Sequence, residues 1–148
     1  MLAQASFFAG DADAALKAGK RAAEIRPGNA EIFFSLGVYA SDTSKDEAIV
    51  HYRHAVSIDP ASFKAWVNLG SCLLDCQRVE DSIAAFNEAL KVESNCFEAL
   101  MYLSIARLKK GELIPAAESA RKAISVKPES ADAYFSLAYV LKEEGELE

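Results

Sequence analysis

Pro27, Pro60 and Pro128 recur at intervals of 33 and 68 residues, the second interval being about twice the first. A period near 34 holds two helices of roughly 13 residues and two short turns, which points to stacked helix–turn–helix units. Proline closes each unit because it has no N–H to donate into a continuing helix. A chain built this way is expected to form an all-α solenoid of antiparallel helix pairs.

Superposing the segments at that period brings apolar positions into register. In the central unit Trp66, Leu69, Gly70 and Leu73 lie on one helical stripe at i, i+3, i+4, i+7. The same slots hold Phe33, Leu36, Gly37 and Ala40 one period earlier. They hold Leu100, Leu103, Ser104 and Arg107 one period later, then Tyr134, Leu137, Ala138 and Leu141. A small residue beside the leucine lets the partner helix approach closely. The second helix repeats too: Ala48, Tyr52, Ala55 and Val56, then Ser82, Phe86, Ala89 and Leu90, then Ala116, Ala120, Ala123 and Ile124. An earlier copy reads Ala15, Gly19, Ala22 and Ala23, after a first helix cut short at Met1.

This pattern resembles the tetratricopeptide repeat, whose units carry Trp-x2-Leu-Gly-x2-Tyr, Ala-x3-Phe-x2-Ala and a closing Pro. The best match is Trp66-Val67-Asn68-Leu69-Gly70 followed by Ser82, Phe86 and Ala89. The resemblance covers essentially the whole chain and implies a right-handed superhelical solenoid. One domain over 1–148 is expected, with full units 30–62, 63–96 and 97–130 and partial units 1–29 and 131–148. The chain is read as a piece of a longer repeat protein. Ser94 stands in the slot of a closing proline, Arg107 in an apolar or aromatic slot and Gly19 in an aromatic one.

Turn residues fall at the expected boundaries. Asn29 and Ser130 are placed to cap helices, and Ser44-Lys45-Asp46-Glu47 has the spacing of a capping box. Gly10, Gly111 and Gly145 fall at inner turns, where a left-handed residue costs glycine least. Pro115 falls in a first helical turn, where its missing N–H is not needed.

Acidic residues outnumber basic ones, 22 to 16, for a net charge of −6. That balance opposes a nucleic-acid partner, whose phosphates need clustered Lys and Arg. The basic group Lys17, Lys20, Arg21 and Arg26 on one second helix is read as a solvated face. No apolar run approaches the roughly 20 residues that span a bilayer, so no membrane partner is expected. Cys72, Cys76 and Cys96 read as reduced and largely core-packed, which points to a cytoplasmic compartment. His51 and His54 read as surface polar residues, with Glu47 one turn from His51. No nucleophile–base pair, phosphate loop or zinc-like spacing is present in the sequence, so neither catalysis nor a cofactor nor a metal is expected.

Function is expected on the first helices, which line the concave side of such a stack. Their residues outside the helix–helix core are Gln4, Phe7 and Phe8, then Phe34, Ser35 and Val38, then Lys64, Val67, Asn68 and Ser71. The last units add Met101, Tyr102 and Ile105, then Phe135, Ser136 and Tyr139. The residues selected as partner-binding are Phe34, Val38, Lys64, Asn68, Met101, Tyr102, Ile105, Phe135 and Tyr139. Such an apolar strip marks a binding site. With Glu31, Asp42, Asp75, Glu98, Asp132 and Glu143 around it, a neutral or basic peptide or helix with apolar anchors is the expected partner.

The resemblance also offers specialisations that this sequence does not complete. Chaperone-binding members clamp a C-terminal carboxylate with Lys, Asn and Arg. Here Lys64 and Asn68 are compatible, but the neighbouring units supply Phe34, Val38, Glu98 and Tyr102. The asparagine ladder of certain glycosyltransferase arms reads Ser35, Asn68, Tyr102 and Ser136 here. A peptide-binding scaffold is the leading reading. The alternatives are a regulatory or substrate-presenting arm of a larger enzyme, or an architectural repeat that self-associates through uncapped ends.

Overall fold

The computed structural model describes residues 2–145, with side chains from residue 13 onward. Those residues form eight α-helices: α1 (Leu2–Ile25), α2 (Ala30–Ser41), α3 (Lys45–Ile58), α4 (Phe63–Asp75), α5 (Val79–Val92), α6 (Phe97–Lys110), α7 (Leu113–Val126) and α8 (Ala131–Gly145). No strand occurs among the described residues. The helices fall into two compact units, residues 1–61 with α1–α3 and residues 62–148 with α4–α8.

In the first unit α2 and α3 form an antiparallel pair, and α1 packs against α2. Asn29 caps α2, its carboxamide oxygen accepting from the amides of Glu31 and Ile32 at 3.0 and 3.4 Å. Ser44 caps α3 by accepting from the Glu47 amide at 3.2 Å. The Glu47 carboxylate does not close a capping box. It reaches Lys20 Nζ of α1 at 2.6 Å instead. Between α2 and α3 the ring of Tyr52 lies against Gly37, and Leu36, Ala40, Ile49, Ala55 and Val56 fill the rest.

One expectation fails here. Gly10 does not form a turn, because α1 runs unbroken through it. The segment is rich in alanine, the strongest helix former, and one interior glycine costs only about 1 kcal/mol. The residues Gln4, Phe7 and Phe8, expected to contribute to the concave face, lie outside the residues whose side chains are described, and so do Glu146, Leu147 and Glu148.

In the second unit α4, α6 and α8 form one layer and α5 and α7 the other. Each helix packs on the next, and α4 and α8 also touch α6. The core runs through the seam. Phe86 is fully buried among Leu74, Leu103 and Ala106, and its burial is worth about 2–3 kcal/mol. Leu100 packs with Ala123 and Ala133, while Val140 packs with Ala116 and Ala117.

The two inner turns of this unit share a backbone solution. Gln77 N–H reaches Leu74 O and Arg78 N–H reaches Leu73 O. One period later Gly111 N–H reaches Leu108 O and Glu112 N–H reaches Arg107 O. Both turns are Schellman caps, and both place their pivot in the left-handed region, Gln77 at φ 60° and Gly111 at φ 83°. Gly145, by contrast, ends α8 with no left-handed φ.

Candidate functional site

The α4–α6–α8 layer carries the candidate site. Helical spacing puts Met101, Ile105 and Leu108 on one edge of α6, and Asp132, Phe135, Ser136 and Tyr139 on the facing edge of α8. Together they line an almost wholly apolar pocket of about 300 Å³. Behind Ser136, the buried Ser104 hydroxyl donates to Ala116 O of α7 at 3.0 Å and lies 3.3 Å from Ser136 Oγ. Phe135 is 74 % exposed and Tyr139 47 %, so both rings stand at the rim with most of their area unused. Asp132, in the first turn of α8, is the one carboxylate in the lining.

Four of the nine selected residues therefore meet in one pocket: Met101, Ile105, Phe135 and Tyr139. Leu108 was missed because its slot also faces a core cluster with Leu113 and Leu137. Tyr102 does not line the pocket. Its ring stacks on Phe86 at 5.6 Å between centroids and 10° between planes, so part of it belongs to the α4–α7 core. Lys64 is exposed and Asn68 half-buried on α4, outside the pocket lining. In the first unit Phe34 is half-buried against Tyr52, at 5.8 Å, and Val38 is exposed. Val67, expected on the concave face, is buried with Ala89, Cys96 and Ala99.

Several polar side chains outside the pocket pack or bond within their own unit. Arg107 fills its aromatic slot by turning toward α7, where it donates to Pro115 O at 3.1 Å and Ser119 Oγ at 2.9 Å. His54 stacks on Phe33 at 3.9 Å. His51 is not a surface residue: its side chain is 14 % exposed, with Nε2 3.6 Å from Glu47. Burial lowers its pKa from the usual 6.5, against the opposing pull of Glu47. Cys72 and Cys96 are buried, and desolvation raises the Cys96 thiol above its usual range. Among the described residues no three His, Cys, Asp or Glu side chains gather as metal ligands, and no helix is long and apolar enough to cross a membrane.

Comparison with known proteins agrees with this geometry. Residues 63–96, the α4–α5 pair, match the tetratricopeptide repeat family model. The chain is 27 % identical over 131 residues to the human protein O-mannosyl-transferase TMTC3, a match covering 86 % of this chain and 14 % of that protein. It thus spans a small fraction of the length of the curated relatives it matches. A crystal structure of MamA superposes with a TM-score of 0.89 at 28 % identity, over 93 % of this chain and 81 % of MamA. The first such repeat domain of Spaghetti (RPAP3), solved with an HSP90 peptide, superposes with a TM-score of 0.75 at 19 % identity, over 78 % of this chain and 93 % of that one. That last likeness is one of fold.

Proposed function

Because the chain belongs to the tetratricopeptide-repeat family, we propose that it is a non-catalytic interaction module whose α6–α8 pocket takes apolar side chains of a partner peptide or helix. The supporting observation is the pair of rim rings, Phe135 and Tyr139, over an apolar hollow of about 300 Å³. A monomer rarely leaves aromatics so exposed beside a cavity unless they are used. Covering about 100 Å² of each ring is worth roughly 2–3 kcal/mol gross, against about 0–1 for a rim ion pair. The rings therefore set the affinity, and Asp132 favours a neutral or basic ligand. A module of the same fold carries an HSP90 peptide.

The test is a titration with a peptide selected by display against this chain. Phe135→Ala with Tyr139→Ala is expected to weaken binding at least tenfold with helix content unchanged. Equal affinity in the double variant would remove the pocket from the account. Tyr102 is a poor choice for this test because its ring supports Phe86.

A second reading is favoured by the likeness to a human protein O-mannosyl-transferase: the repeats present substrate to an attached enzyme. A catalytic domain in the same open reading frame would support it. Its absence there would leave the stand-alone module.

A further inference from the structure

The polar side chains that line the α6–α8 pocket share a hydrogen-bonding sense. Ser104 has a single hydroxyl proton, and it goes to Ala116 O of α7 at 3.0 Å. The 3.3 Å contact between Ser104 and Ser136 is therefore donated by Ser136. That spends the only proton Ser136 has, so toward a ligand it can accept and cannot donate. The lining holds two further polar side chains. Asp132 is an acceptor when ionised, and the Tyr139 hydroxyl can act either way. Met101, Ile105, Leu108 and Phe135 bring no donor. A carboxylate or phosphate entering this pocket would meet no cation in its lining.

Resting on the reading of this pocket as a peptide site, we infer that the side chain it takes from its partner is an arginine. The occupant must be apolar along its length and rich in donors at its end. Arginine meets both demands, with a hydrocarbon stem that packs on apolar surface and a planar fork of N–H donors that carries no acceptor. Met101, Ile105 and Leu108 of α6 supply the surface for the stem. Asp132 and Ser136 lie about one turn apart on the same face of α8, so one guanidinium can serve both. Phe135 and Tyr139 share that face, and their rings are planes on which a guanidinium stacks. Lysine carries the same charge as a point, with neither plane nor fork. The net charge of −6 draws a basic segment toward the chain.

The probes are peptides selected by display from a randomised library on the chain of residues 1–148, each compared with synthetic copies in which citrulline or lysine replaces arginine. Citrulline keeps the shape of arginine but is neutral and sets an acceptor oxygen at the fork. The selected peptides are expected to share an arginine, with citrulline in its place weakening binding by about fivefold or more and lysine by roughly threefold. On Asp132→Asn the arginine and citrulline forms should differ by less than about twofold. Glu129→Gln removes the same charge from an exposed residue outside the lining, and is expected to keep the full difference. Both substitutions are at exposed positions, so circular dichroism should match the unsubstituted chain. Three outcomes would overturn this inference while leaving an apolar-anchor pocket in place, given peptides that shift the Met101 and Ile105 resonances. These are peptides without arginine, peptides that bind equally well with citrulline or lysine, and an arginine preference that survives on Asp132→Asn. Selected peptides that leave both resonances unmoved would overturn the pocket reading itself, and this inference with it.

Discussion

Gly70 lies beneath the ring of Phe86, so close that a Cβ on the glycine would stand 2.5 Å from Cε1 of that ring. The ring is fully buried and cannot retreat without displacing Leu74, Leu103 and Ala106. Gly70→Ala is therefore expected to cost about 1–3 kcal/mol through overpacking. Gly28, with nothing within 4 Å, should tolerate the same change within about 0.5 kcal/mol. Urea midpoints at unchanged slope would check both.

The two left-handed pivots make opposite predictions. Gln77 holds φ 60° at the slot where Gly111 holds φ 83°. A side chain in that region costs about 1–2 kcal/mol. Gln77→Gly is expected to stabilise the chain by about 1 kcal/mol, and Gly111→Ala to destabilise it by a similar amount. The space around Gly111 is empty, so backbone strain alone should be read out in thermal denaturation.

Arg107 ties α6 to α7 through Pro115 O and Ser119 Oγ, while its buried Nε finds no acceptor among the described residues. Arg107→Ala is expected to cost about 2 kcal/mol, from two charge-assisted hydrogen bonds and the packing of the side-chain stem. Ser119→Ala removes one acceptor and should cost about half as much. A loss larger for Ser119→Ala than for Arg107→Ala would contradict this ordering.

Much of this architecture could be read from the residues alone. The proline period, the stripes through Leu36, Leu69 and Leu103, and the caps at Asn29 and Ser130 are local or periodic signals, and the helices follow them. What escaped depends on which neighbour a side chain meets. Tyr102 and Met101 are adjacent in sequence, yet one stacks on Phe86 and the other lines the pocket. Glu47 matched a capping box, but a lysine from α1 binds its carboxylate. Gly10 had the register of a turn, but the alanine-rich segment around it runs on as helix.

Stability of the first unit should depend on pH through His51. Its folded pKa is lowered from 6.5 by burial, so the unfolded chain takes up this proton at higher pH than the folded one. Stability is then greatest above about 6.5 and falls as the pH drops through that value toward the folded pKa. The Lys20 ammonium, hydrogen-bonded to Glu47, lowers that carboxyl from 4.5 and adds a second loss at lower pH. Lys20 and His54 also face His51 electrostatically, both disfavouring its charged form or adding to that effect. His51→Gln is expected to flatten the urea midpoint between pH 7 and 5. A slope equal to that of the unsubstituted chain would assign the dependence elsewhere.

The peptide pocket is tested most directly by nuclear magnetic resonance, with a display-selected peptide titrated into isotope-labelled chain. The side-chain resonances of Met101, Ile105, Phe135 and Tyr139 should shift together and saturate at one stoichiometry, while those of Ile114, exposed on α7, stay in place. Shifts confined to α7, with the α6–α8 rings unmoved, would contradict the account.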